Sequence, residues 1–173
     1  MMKNAIPLLF MCVAIISGCS KKELSKEDAL VLLQKKGNYP NTYTYEIYFK
    51  DSEDGRKMLD AGLEKDGLVK VQRNRKTGDN TGAVIEFTDL AKPYLLPPDK
   101  GQLSSVQKVK LADEVLGQII ELTFNEQKDR AQVTYTTKFA EQTPFIKLEK
   151  KDFTKTKERK AVFILTKKGW VLQ

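Results

Sequence analysis

Apolar positions along the chain follow two spacings, helical and mixed up to about residue 96 and strictly alternating from Val106 onward. In the first stretch, Ser25-Lys26-Glu27-Asp28 has the form of a capping box, with Ser25 as N-cap and Asp28 at the third helical position. Ala29, Leu32 and Leu33 then make one helical stripe, and Gly37 supplies the stop. Tyr43 to Phe49 is rich in aromatic and β-branched residues and predicts a strand. Ser52 is positioned to cap a second helix carrying Met58, Leu59 and Leu63, closed by Asp66-Gly67. Leu68–Arg73 and Ala83–Thr88 predict a hairpin around the polar tip from Asn74 to Gly82.

Pro93, Pro97, Pro98 and Gly101 favour extended chain, and residues 97–105 are the expected linker. Beyond it Ile120, Leu122 and Phe124 are expected on one strand face, and Asn125 to Asp129 turns. Ala131, Val133, Tyr135, Thr137 and Phe139 then alternate with polar residues. Ala161, Phe163 and Leu165 repeat the pattern, Lys167-Lys168-Gly169 turns, and Trp170 to Leu172 returns, with Trp170 expected against the core. The pattern predicts an α+β chain: an N-terminal α/β half at 25–96 and a C-terminal antiparallel β-meander at 106–173 with one buried face.

Ahead of these elements lies a different kind of signal. Lys3 is followed by an apolar run from Ala5 to Ile16. A dozen residues fall short of the roughly 20 needed to span a bilayer core. A basic start, a short apolar middle and small residues after it form the layout of a secretory signal peptide. Ile16-Ser17-Gly18-Cys19 resembles the lipobox of bacterial lipoproteins. The resemblance implies cleavage after Gly18, diacylglycerol on the Cys19 thiol and an acyl chain such as palmitate on its new amino group. Residues 1–18 would then be the signal peptide and 19–24 a short tether. Ser20 in place of Asp resembles outer-membrane sorting, so the expected location is the outer membrane, facing the periplasm, with the inner membrane as the alternative. The membrane, reached through acylated Cys19, and an envelope protein are the expected partners; nucleic acid is not.

Two further resemblances concern fold. The helix and hairpin spanning about residues 55–96, with "LEKDGLV" and "IEFTDLAKPYL", resemble the recognition helix and wing of winged-helix proteins, although Tyr43–Phe49 looks extended where that family has a helix. The ending "AVFILTKKGWVL" is similar to the last hairpin of small exported domains with cystatin-like or nuclear-transport-factor-like sheets.

Composition narrows the chemistry. The chain has no histidine, which removes His-based nucleophile activation and every His-ligated metal site. Cys12 and Cys19 both fall in or at the end of the signal segment, leaving no expected disulfide. No Gly-rich phosphate loop or nucleophile elbow is present, and Glu46, Glu86 and Glu121 are expected on solvent faces. No catalysis and no cofactor are expected. The formal net charge is +7. Arg73, Arg75 and Lys76 fall at the hairpin tip, and residues 147–160 hold seven basic against three acidic side chains. Candidate contacts for an anionic ligand are therefore Arg73, Arg75, Lys76, Lys150, Lys151, Lys155, Lys157, Arg159 and Lys160. The expected function is a non-catalytic binding or scaffolding module. The alternatives are a binder of anionic envelope ligands (lipopolysaccharide, phospholipid or peptidoglycan) and, if the chain is not exported, a winged-helix nucleic-acid binder.

Overall fold

A computed structural model of the chain describes residues 23–73, 82–101 and 103–173. The lipobox residues Ile16, Ser17, Gly18 and Cys19 lie outside the described residues, as do Arg75 and Lys76. Helix α1 runs Lys26–Lys36, and the Ser25 hydroxyl accepts from the Asp28 N–H at 3.0 Å. Glu27 and Asp28 in its first turn and Lys35 and Lys36 in its last complement the helix dipole. Its buried residues are Ala29 and Leu33.

Strand β1 spans Asn41–Tyr48 and helix α2 spans Ser52–Asp60. The cap of α2 is Asp51 rather than Ser52: its carboxylate accepts from the Glu53 N–H at 2.7 Å. The helix also ends earlier than the apolar spacing suggests. Gly62 and Gly67, at φ 73° and 76°, enter the left-handed region that residues with a Cβ avoid, so the chain turns while Leu63 stays buried. Strands β2 (Val69–Val71) and β3 (Ile85–Phe87) form the expected hairpin. The Phe49 carbonyl accepts from Val84 and Ile85 N–H at 2.7 and 2.9 Å, which fastens that hairpin to the end of β1.

The other strands are β4 (Val106–Phe124), β5 (Arg130–Ala140), β6 (Lys157–Thr166) and β7 (Gly169–Leu172). They form a curled antiparallel sheet in the order β1-β4-β5-β6-β7, with β4 to β7 as a simple meander. The fold is α+β with antiparallel β-structure. Asn125 sets the β4–β5 turn, its side-chain oxygen accepting from Asp129 and Arg130 N–H at 3.1 and 2.9 Å. No helix among the described residues is long and apolar enough to cross a membrane.

One expectation needs correction. Alternation places Ile120 with Leu122 and Phe124, but the β4–β5 register shifts between Leu116 and Ile119 and again between Ile119 and Glu121. The bulges turn Ile119 inward (8% exposed) and Ile120 outward (45%). A winged-helix half is not shown. Strand β1, paired with β4 from Asn41↔Glu114 to Tyr48↔Val106, belongs to the large sheet, and α1 packs on β4 and β7.

Two apolar clusters sit along this sheet. One gathers Leu24, Ala29 and Leu33 with Ile119, Ala131, Val133, Tyr135 and Phe163. Trp170 packs at its edge, T-shaped against Phe124 at 5.9 Å. The other joins Met58, Leu63 and the β2–β3 hairpin to Ile47, Val109, Leu111, Phe139, Phe145 and Phe153. The β5 residues Ala131, Val133, Tyr135, Thr137 and Phe139 share one strand face by alternation. That face feeds the first cluster at one end and the second at the other.

Candidate functional site: a cationic pair on aromatic rings

Between the two clusters the shared face turns polar. Register sets Phe163 and Ala161 of β6 opposite Ala131 and Val133, but then Arg159 opposite Tyr135 and Lys157 opposite Thr137. On the other side of β5, Glu114 stands opposite Phe139. Glu114 Oε1 therefore accepts from Arg159 Nη2 at 2.6 Å and from the Thr137 hydroxyl at 2.7 Å. Nearby, the Tyr39 and Tyr135 hydroxyls meet at 3.4 Å.

Past this seam, three rings form a floor. Phe139 and Phe153 lie 4.9 Å apart, and Tyr43 is 5.7 and 5.8 Å from them. Phe153 is held from behind by a hydrogen bond from Gln142 Nε2 to its carbonyl at 3.0 Å. Lys151 Nζ lies 3.7 Å from the Tyr43 ring centre, 4.5 Å from Phe139 and 5.7 Å from Phe153. Lys157 Nζ lies 5.4 Å from the same Phe139 centre. Each such contact is worth about 0.5–2 kcal/mol, but a ring quadrupole leaves the net charge in place.

The electrostatics follow from these positions. Burial pushes the Glu114 carboxyl up, but hydrogen bonds from Arg159 and Thr137 and the nearby Lys157 charge outweigh it, so the group sits below the usual carboxylate range. Burial, followed by the neighbouring Lys151 charge, holds the Lys157 ammonium below the usual lysine range. Burial raises the Tyr39 hydroxyl, and the Tyr135 hydrogen bond adds to the effect. Glu114, Asp113, Glu141 and Asp152 are engaged with other groups. Glu114 serves Arg159, while Asp113 and Glu141 hold Lys110 at 2.6 and 2.7 Å. Asp152 accepts from Thr154 and pairs with Lys155 at 3.6 Å. Among the described residues, neither Lys151 nor Lys157 has a carboxylate within ion-pair distance. Two ammonium groups thus face each other over one ring, an arrangement suited to holding an anion.

Of the nine basic residues singled out in the sequence, Lys151, Lys157 and Arg159 come together here. Lys150 is exposed and away from the rings, and Lys155 is exposed beside Asp152. Lys160 lines a separate open recess of about 440 Å³ with Tyr39, Tyr135, Ala161 and Leu172. Arg73 stands at the base of the hairpin loop, ion-paired with Glu64. Sequence reasoning missed Tyr43, Glu114, Thr137 and Phe153. Thr137 and Phe139 lay on a legible strand face, yet nothing in the spacing links them to lysines from another segment.

The buried carboxylates are all engaged in holding the fold. Asp54 accepts from the Tyr48 N–H at 2.7 Å and from Lys57 at 3.0 Å, and Asp113 accepts from Thr42 as well as Lys110. No group of three or more metal-ligating side chains occurs among the described residues. No family model matches the chain, and no curated protein or solved structure matches it.

Proposed function

We propose that this protein is a lipid-anchored, non-catalytic binding module of the cell envelope, held by acylated Cys19 and facing the periplasm from the outer membrane. The observation that carries the binding part is the unpaired Lys151–Lys157 couple over Tyr43, Phe139 and Phe153. Such a couple favours an anionic ligand over an apolar partner surface. The anchor rests on the lipobox resemblance at Ile16-Ser17-Gly18-Cys19. More than one acyl chain on Cys19 gives stable anchoring, each buried CH₂ adding about 0.8 kcal/mol. A recess lined by Leu24, Asp28, Val31, Leu32, Leu165 and Trp170 opens beside the first described residues.

Membrane fractionation with and without the lipoprotein signal-peptidase inhibitor globomycin tests the anchor. The reading expects uncut precursor under the drug and a membrane-bound chain beginning at Cys19 without it. Uncleaved protein in the soluble fraction would overturn it and bring the winged-helix nucleic-acid reading forward. Salt tests the ligand class, because charge-driven capture weakens steeply with ionic strength whereas an apolar protein interface does not.

A further inference from the structure

The geometry points to a dianionic phosphate group as the ligand of the Lys151–Lys157 pair, which is backed by Tyr43, Phe139 and Phe153. The inference deepens the binding-module reading and is independent of the anchor. Charge is the first argument. Two ammonium groups converge on Phe139, and among the described residues neither has a carboxylate within ion-pair distance. One carboxylate ligand would neutralise only one of them. A phosphate monoester carries about −1.5 to −2 at neutral pH and has three acceptor oxygens, matching two cations.

Geometry is the second argument. Lysine binds phosphate as a point charge with three rotatable donors, so it tolerates the approach angles a shallow site allows. Here the stems are fixed. Lys157 lies in β6, paired with Thr137. Lys151 rests over Tyr43, beside the Asp152–Thr154 turn and the buried Phe153. Arg159 stands two residues along the same strand face and is paired with Glu114, whose carboxylate lies outside ion-pair distance of Lys157. Phe139 and Phe153, 8% and 5% exposed, close the core side of the site against water.

The phosphate could be free or the headgroup of a lipid, and titration calorimetry on the mature protein with two probes separates these sources. Inorganic phosphate and dihexanoyl phosphatidic acid below its micellar concentration are titrated into wild type, Lys151→Met/Lys157→Met and Lys150→Gln/Lys155→Gln. The site predicts saturable binding in wild type, at least a tenfold loss in the first variant and no change in the second. Equal affinity for both probes assigns a free phosphate; tenfold tighter binding of the lipid assigns a headgroup. Near-ultraviolet circular dichroism confirms that each variant is folded. Equal loss in both double variants, absence of saturable binding, or binding only to an acidic protein would overturn the inference. A missing acyl group on Cys19 would contradict the anchor alone and leave this site standing.

Discussion

The two ends of the β5–β6 face are built from the same alternation and put to different use. At the α1 end, Ala131, Val133, Ala161 and Phe163 meet Leu33 and Ile119, and the packing is apolar. At the other end the same face presents Thr137, Lys157 and Phe139, and two ammonium groups rest on aromatic rings. The first arrangement removes apolar surface from water and stabilises the fold. The second holds two like charges near each other on aromatic rings, and among the described residues neither has a carboxylate within ion-pair distance. One face thus divides into an apolar end and a cationic end, separated by the Glu114–Thr137–Arg159 seam.

Substitutions can break that comparison in order of size. Phe163→Ala should cost about 3–5 kcal/mol, measured by urea unfolding, because it empties a fully buried site in the α1 cluster. Gly117→Ala should come next, at about 1–3 kcal/mol. Its Cβ would lie 2.2 Å from the Thr136 hydroxyl, so the β4 bulge that turns Ile119 inward would have to shift.

The seam sharpens the comparison through pH. Glu114 is held below its ordinary value of 4.5, so its contribution is present above that pH and is lost as pH falls through the depressed folded value. Glu114→Gln should therefore flatten the acid limb of the stability profile below about pH 4.5, read by unfolding at a series of pH values. At the cationic end the sign is reversed. Lys157 sits below its ordinary 10.5, so its charged form opposes folding at neutral pH, and that opposition fades as pH rises towards 10.5. Lys157→Met should leave neutral-pH stability unchanged or raise it by up to about 0.5 kcal/mol, the smallest of these effects.

The elements were more legible in the sequence than the site. The Ser25 cap, the Asn125 turn and the alternation from Ala131 to Phe139 are local signals, readable from neighbouring residues. The ends of α2 and the inward side of β4 were not. Asp51 competes with Ser52 for the cap, and the bulges around Ile119 reverse the face without changing composition. The cationic pair was legible only as excess charge between residues 147 and 160. Its floor comes from β1, β5 and the segment before β6, brought together by the long-range pairings of Tyr43 with Ala112 and Glu114 with Phe139. Spacing along one strand carries no information about such pairings.

The most direct test of the two-ended face is the thermal stability of wild type and Lys151→Met/Lys157→Met, each with and without saturating phosphate. A ligand that binds only the folded state raises stability by mass action. The account predicts that phosphate raises the melting temperature of wild type, while the double variant melts no lower than unliganded wild type and does not respond. A double variant that melts well below wild type, together with a wild type indifferent to phosphate, would show that the two lysines serve the fold and not a ligand.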